Sequence, residues 1–178
     1  ITTWDHDFID LDFSFVGSKT LALLIHGLEG SSNSTYMIST SKHLNKIGLD
    51  TVCFNLRGCS GEDNLLLGSY HSGKTEDVDF IVSHLLENYN YENIIIIGFS
   101  LGGNLTLKYL GEKSEAISPK IKGGIAFSVP IDIASAEKEM DKLGKHMKIE
   151  TGKDYAFRSD TGTGKTTITK QFLKDTKQ

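Results

Sequence analysis

Four isoleucines, Ile94 to Ile97, run directly into Gly98-Phe99-Ser100-Leu101-Gly102-Gly103. The apolar run is short and uninterrupted, as in a strand buried on both faces. Leu101–Leu110 reads as a helix closed by Gly111. A strand that becomes a helix within one residue forces the corner residue into a strained backbone conformation. Gly98 and Gly102 must then lack side chains so that strand and helix can approach. The product is a serine hydroxyl turned out of the sheet, above the positive end of the following helix. The spacing GxSxG is common by chance; its position between strand and helix is what makes it informative.

The rest of the chain supplies a frame for that corner. DFIDLDFSF (7–15) alternates with period two, as a half-exposed strand near a sheet edge does. TLALLI (20–25) is apolar throughout and reads as a central strand. A helix is expected from Thr35 to Ile47, stopped by Gly48, followed by the strand TVCFNL (51–56). Thr75 can cap a helix with Glu76, Asp77 and Asp79 in its first turn, and its apolar residues Val78, Ile81, Val82, Leu85 and Leu86 share one face. IKGGIAFSV (121–129) is a further strand. Strands alternating with helices predict an α/β fold with a mostly parallel sheet and crossover helices, whose ligand sites lie at the carboxyl ends of the strands.

Composition narrows the function. The chain has 178 residues, 38% hydrophobic and 24% charged, as in one globular domain with a sizeable core. A net charge of −4 argues against a general nucleic-acid binder. Cys53 and Cys59 have no CxxC or His-Cys pattern around them. They read as reduced thiols, against zinc and in favour of a cytoplasmic compartment. The first residue is Ile1, so the N-terminus is taken as incomplete. Charge changes along the chain: residues 1–140 carry 10 Lys+Arg against 18 Asp+Glu, and residues 141–178 carry 9 against 5.

If Ser100 is a nucleophile, acyl transfer also needs two donors for an oxyanion. The N–H of Leu101 is one candidate. The loop His26-Gly27-Leu28-Glu29-Gly30, after a central strand, offers the N–H of Leu28 as the other. His26 lies at the mouth of that strand, where a residue more often organises a loop than serves as a base. Arg57 reads as pairing with local acids such as Glu62 or Asp63 and holding the loop 57–73. His71 precedes Ser100, the wrong order for a base in this kind of fold.

Taken together, residues 7–140 resemble an α/β-hydrolase of the YheT-like branch. The matching pieces are DFIDLDFS, HGLEGSSNSTY, NLRGCSGEDN, YHSGKTEDVDF, IIIIGFSLGGNLTLKYLGE and IAFSVPIDI, in order. The resemblance implies the α/β-hydrolase fold and a serine hydrolase of carboxylic esters. Ser100 would be its nucleophile, Leu28 and Leu101 its oxyanion hole, Gly98 and Gly102 its elbow glycines. It implies a small-molecule ester substrate, lipophilic in its acyl part, with no cofactor, no metal and no nucleic acid. It leaves the oligomeric state open. It also implies that the loop residues Arg57 to Glu62 and Tyr70 to Gly73 are architectural or pocket-lining.

The family pattern fades after about Met140, so the fold is expected to break off after its sixth strand. Residues 1–140 then form the N-terminal part of a hydrolase domain, and 141–178 a divergent basic tail rather than an independent domain. The catalytic acid and histidine are expected to be missing, with Asp132, His146 and His71 as the remaining candidates. A non-catalytic fragment of the fold is therefore an alternative. The tail segment YAFRSDTGTGKTTITKQFLKDTKQ (155–178) resembles a helicase-like phosphate-binding loop: a strand, a glycine loop, then a helix from Thr166, with Lys165 toward the phosphates and Thr166 toward Mg²⁺. Nucleotide binding there is a second alternative, against which stands the short stretch that follows.

Overall fold

The structure is a computed structural model. It describes residues 1–132, 135, 136 and 138, and the backbone of 155–157 and 166–168. The chain divides into two compact units, Ile1–Val129 and Pro130–Gln178.

In the first unit the elements follow the order β1 (Leu11–Ser14), β2 (Thr20–Ile25), α1 (Thr35–Lys46), β3 (Asp50–Phe54), α2 (Glu76–Asn88), β4 (Asn93–Phe99), α3 (Leu101–Lys113) and β5 (Ile121–Phe127). The sheet order is β1-β3-β2-β4-β5. β1 runs antiparallel to β3, and the other pairs are parallel. Among the described residues this sheet has five strands, those that the sequence marks.

Period two along the central strand divides the core into two layers. Leu21, Leu23 and Ile25 face the side where Val78, Ile81 and Leu85 of α2 and Leu101, Leu105 and Tyr109 of α3 pack. Ala22 and Leu24 face the other side, with Met37 of α1, Cys53 and Ile97. Both cysteines are free thiols. β1 is half-exposed at the edge and β2 is almost wholly buried, as their sequences require.

Register sets the site. β2 and β4 pair so that Ile25 lies beside Gly98. The first residues beyond each strand, His26-Gly27 and Ser100, therefore emerge next to one another.

Three local expectations change. Gly111 lies inside α3, which ends at Lys113, with Ser114 at φ 40°. Gly111 is exposed with open space around it, so one helical glycine costs too little to stop the helix. Thr75 precedes α2 without capping it through its side chain; the hydroxyl donates instead to Glu112 of α3. In the second unit Tyr155–Phe157 (β6) pairs antiparallel with Thr166–Ile168 (β7). A strand thus stands where the phosphate-loop reading needs a helix, and Thr166-Thr167-Ile168 is a β-branched run suited to it. The loop between them, with Lys165, lies outside the described residues.

Candidate active site

Ser100 sits at φ 51° and ψ −114°, exposed, between the last residue of β4 and the first of α3. For a residue with a side chain such a conformation costs about 1–3 kcal/mol. Two hydrogen bonds hold it: Ser100 N–H donates to Phe127 O at 2.7 Å, and Asn104 N–H to Ser100 O at 3.0 Å. The glycines are required by space. A Cβ on Gly98 would stand 2.1 Å from Gly102 O, and one on Gly102 would stand 2.3 Å from Ile25 O and 2.5 Å from His26 O. α3 can therefore start only where both positions are bare.

The loop after β2 leans on this corner. A Cβ on Gly27 would lie 3.2 Å from both Ser100 Cβ and Phe99 O. His26 is fully buried behind it. Its Nε2 accepts from Leu56 N–H at 3.0 Å, which leaves Nδ1 to donate to Gly27 O at 2.7 Å. Burial pushes this imidazole down to about 4, outweighing the bond to Gly27. With both nitrogens committed inside the protein, His26 braces the loop and is no base for Ser100.

The backbone donors of the same loop are almost all used. Gly27 N–H donates to Tyr36 Oη at 3.0 Å, Glu29 N–H to Tyr70 Oη at 2.9 Å and Gly30 N–H to Gly27 O at 3.0 Å. Ser31, Ser32, Asn33 and Ser34 donate to Ser34 Oγ, Asn55 Oδ1, Ser31 Oγ and Ser31 O. From 27 to 34, only the N–H of Leu28 has no acceptor among the described residues. Leu101 N–H, at the first position of α3, likewise has no acceptor within the helix.

Arg57 is buried and structural, but its partners are not the neighbouring Glu62 and Asp63. Its guanidinium grips Asp77 of α2 at 2.8 Å and reaches Asp5 at 2.9 Å and Asp7 at 3.2 Å, with Trp4 against its face. Asp7 in turn accepts from Asn64 and from the N–H groups of Phe8, Leu65 and Leu66. Burial raises the Asp7 carboxyl, yet these donors outweigh it and hold the group at about 2. The cluster ties the N-terminal segment and the loop 57–73 to α2.

His71 lies on that loop, half-buried, with Nδ1 accepting from Gly73 N–H at 3.1 Å. Asp132 is exposed, and its carboxylate accepts from Ser135 N–H at 3.1 Å. His146 lies outside the described residues. Among the described residues no histidine is hydrogen-bonded to Ser100, and no cluster of His, Cys, Asp and Glu is suited to a metal ion. No described helix is long and apolar enough to cross a membrane. The resemblance makes Tyr70 architectural or pocket-lining, but the contacts of the Tyr36 and Tyr70 hydroxyls with the loop were not legible, because no periodicity marks a hydroxyl that accepts from a distant backbone.

A mostly parallel sheet with a serine at a strained strand-to-helix corner defines the α/β-hydrolase class. The chain belongs to the family described as alpha/beta hydrolase fold, which matches residues 22–144. It is similar to the Escherichia coli K12 protein named "Putative esterase YheT", with 32% identity over 142 residues covering 78% of this chain and 41% of that protein, which places it among YheT-like members. It is 30% identical over 117 residues to the Monoacylglycerol lipase of Saccharomyces cerevisiae, covering 65% of this chain and 26% of that one. The chain thus spans less than half the length of these relatives. The solved Pyrococcus furiosus esterase Pf2001 superposes with a TM-score of 0.67 at 26% identity, covering 82% of this chain and 54% of that structure.

Proposed function

We propose that the protein is a serine hydrolase of carboxylic esters acting through an acyl-enzyme on Ser100. The observation that carries this reading is the corner itself. A strained, exposed serine is over-determined by two glycines and two hydrogen bonds, with unpaired N–H groups on the adjoining loop and helix start. Such strain persists where function uses it. The relatives named esterase and lipase support the same reaction class.

The Ser100 hydroxyl attacks the ester carbonyl while a histidine takes its proton. Negative charge collects on the carbonyl oxygen, where the N–H groups of Leu28 and Leu101 donate to it. The tetrahedral adduct collapses, the alcohol leaves with the proton, and water releases the acid in a second, symmetrical attack. The substrate is a small ester with a lipophilic acyl chain. Hydrolysis of p-nitrophenyl butyrate tests the reading. Ser100→Ala should lower the rate by about 10³-fold or more, and equal rates in the two proteins would overturn it.

A second reading has its own observation. Among the described residues no histidine is hydrogen-bonded to Ser100, which favours the reading of a hydrolase fold without turnover. A folded wild-type chain with no rate above Ser100→Ala is the result this reading expects.

A further inference from the structure

Two tyrosine hydroxyls, both from later in the sequence, reach the loop after β2. Tyr36, in the first turn of α1, accepts from Gly27 N–H at 3.0 Å. Tyr70, on the loop between β3 and α2, accepts from Glu29 N–H at 2.9 Å. They take the donors on either side of Leu28 and leave the one between. A peptide N–H in a turn with no partner points wherever its neighbours force it, and here both neighbours are held by phenols.

Each phenol is itself fixed. The Tyr36 ring packs on Phe99, the residue before Ser100, with centroids 4.9 Å apart. Gly30 is bare because a Cβ there would stand 2.7 Å from Tyr36 Oη and 3.1 Å from His26 Nδ1. Tyr70 packs against the main core with Cys59. Burial pushes its ionisation far above the usual range, so it stays a neutral phenol. Glu29 at φ 56° is a further sign that the turn is held rather than relaxed.

We propose that Tyr36 and Tyr70 are a pair of positioning residues for acyl transfer, clamping the peptides on either side of Leu28 so that its N–H alone is presented at Ser100. The proposal rests on the esterase reading above. Neither phenol touches the substrate; both act through the backbone. They differ from simple packing residues in what their loss changes. Removing one hydroxyl leaves the ring in place and frees one flanking peptide, so the oxyanion donor loses aim. A displaced oxyanion donor slows the chemical step more than it weakens substrate binding.

The test uses Tyr36→Phe and Tyr70→Phe in the 178-residue chain, with two readouts. In amide hydrogen exchange, the wild type should show Leu28 exchanging at least 10-fold faster than Gly27 and Glu29. Tyr36→Phe should release Gly27 alone, and Tyr70→Phe Glu29 alone. On p-nitrophenyl butyrate, each variant should lose about 5- to 100-fold in kcat with KM within two-fold. Gly27 and Glu29 exchanging as fast as Leu28 in the wild type overturns the clamp. So does kcat unchanged in a variant whose flanking amide has been released. A wild type with no turnover contradicts the esterase reading, while the exchange pattern still decides the clamp.

Discussion

At Ser100 the chain accepts a backbone conformation that glycine adopts freely and serine does not. Ser100→Gly should therefore stabilise the fold by about 1–2 kcal/mol while removing the hydroxyl, read as a rise in the urea midpoint. A fall in the midpoint would mean that the corner holds no strain. The glycines of α3 separate into two kinds. Gly102→Ala puts a methyl group 2.3 Å from the Ile25 carbonyl, a clash with backbone that cannot turn aside. The expected loss is about 3 kcal/mol or more, or no folded protein. Gly111→Ala meets open space in an exposed helix interior and should gain about 0.5–1 kcal/mol. Thermal unfolding of the two variants beside the wild type reads both signs in one experiment.

At the scale of elements, two buried groups brace the loops beside the sheet, and both tie stability to pH. His26 has its ionisation lowered from 6.5 to about 4. Between those values the unfolded chain binds a proton that the folded chain refuses. Stability from this group is complete above pH 6.5 and declines by about 3 kcal/mol as pH falls to 4. Asp7 is held at about 2, so its contribution is complete above the ordinary carboxylate range and is lost as pH falls through 2. Urea midpoints should thus fall in two stages, first from pH 6.5 to 4 and again below 4. A midpoint flat between pH 6.5 and 4.5 would contradict the buried, neutral His26.

Over the whole molecule, the parts legible in sequence were those whose cause is local. The isoleucine run, the glycines around Ser100 and the amphipathic face of α2 carry their reasons within a few residues. The mostly parallel character of the sheet followed from alternation of strands and helices. The rest depended on partners far away in sequence. Arg57 reads as a loop arginine beside Glu62 and Asp63, yet it finds Asp5, Asp7 and Asp77 because the N-terminal segment before β1 and the first turn of α2 bring them together. Thr75 has the chemistry of a helix cap, but Glu112 on α3 is within reach of its hydroxyl. Nothing local announces that Tyr36 and Tyr70 will end on either side of Leu28. For Thr166 the signal was present and a competing motif masked it: three β-branched residues favour the strand that forms.

An acyl-enzyme at this corner requires a reactive Ser100 hydroxyl. Labelling with a fluorophosphonate probe, followed by mass spectrometry of the adduct, tests this most directly. The wild-type chain should take one phosphonyl group, on Ser100, and Ser100→Ala should take none. A folded wild type that stays unlabelled, or labels equally in both proteins, would contradict an acyl-enzyme at this corner.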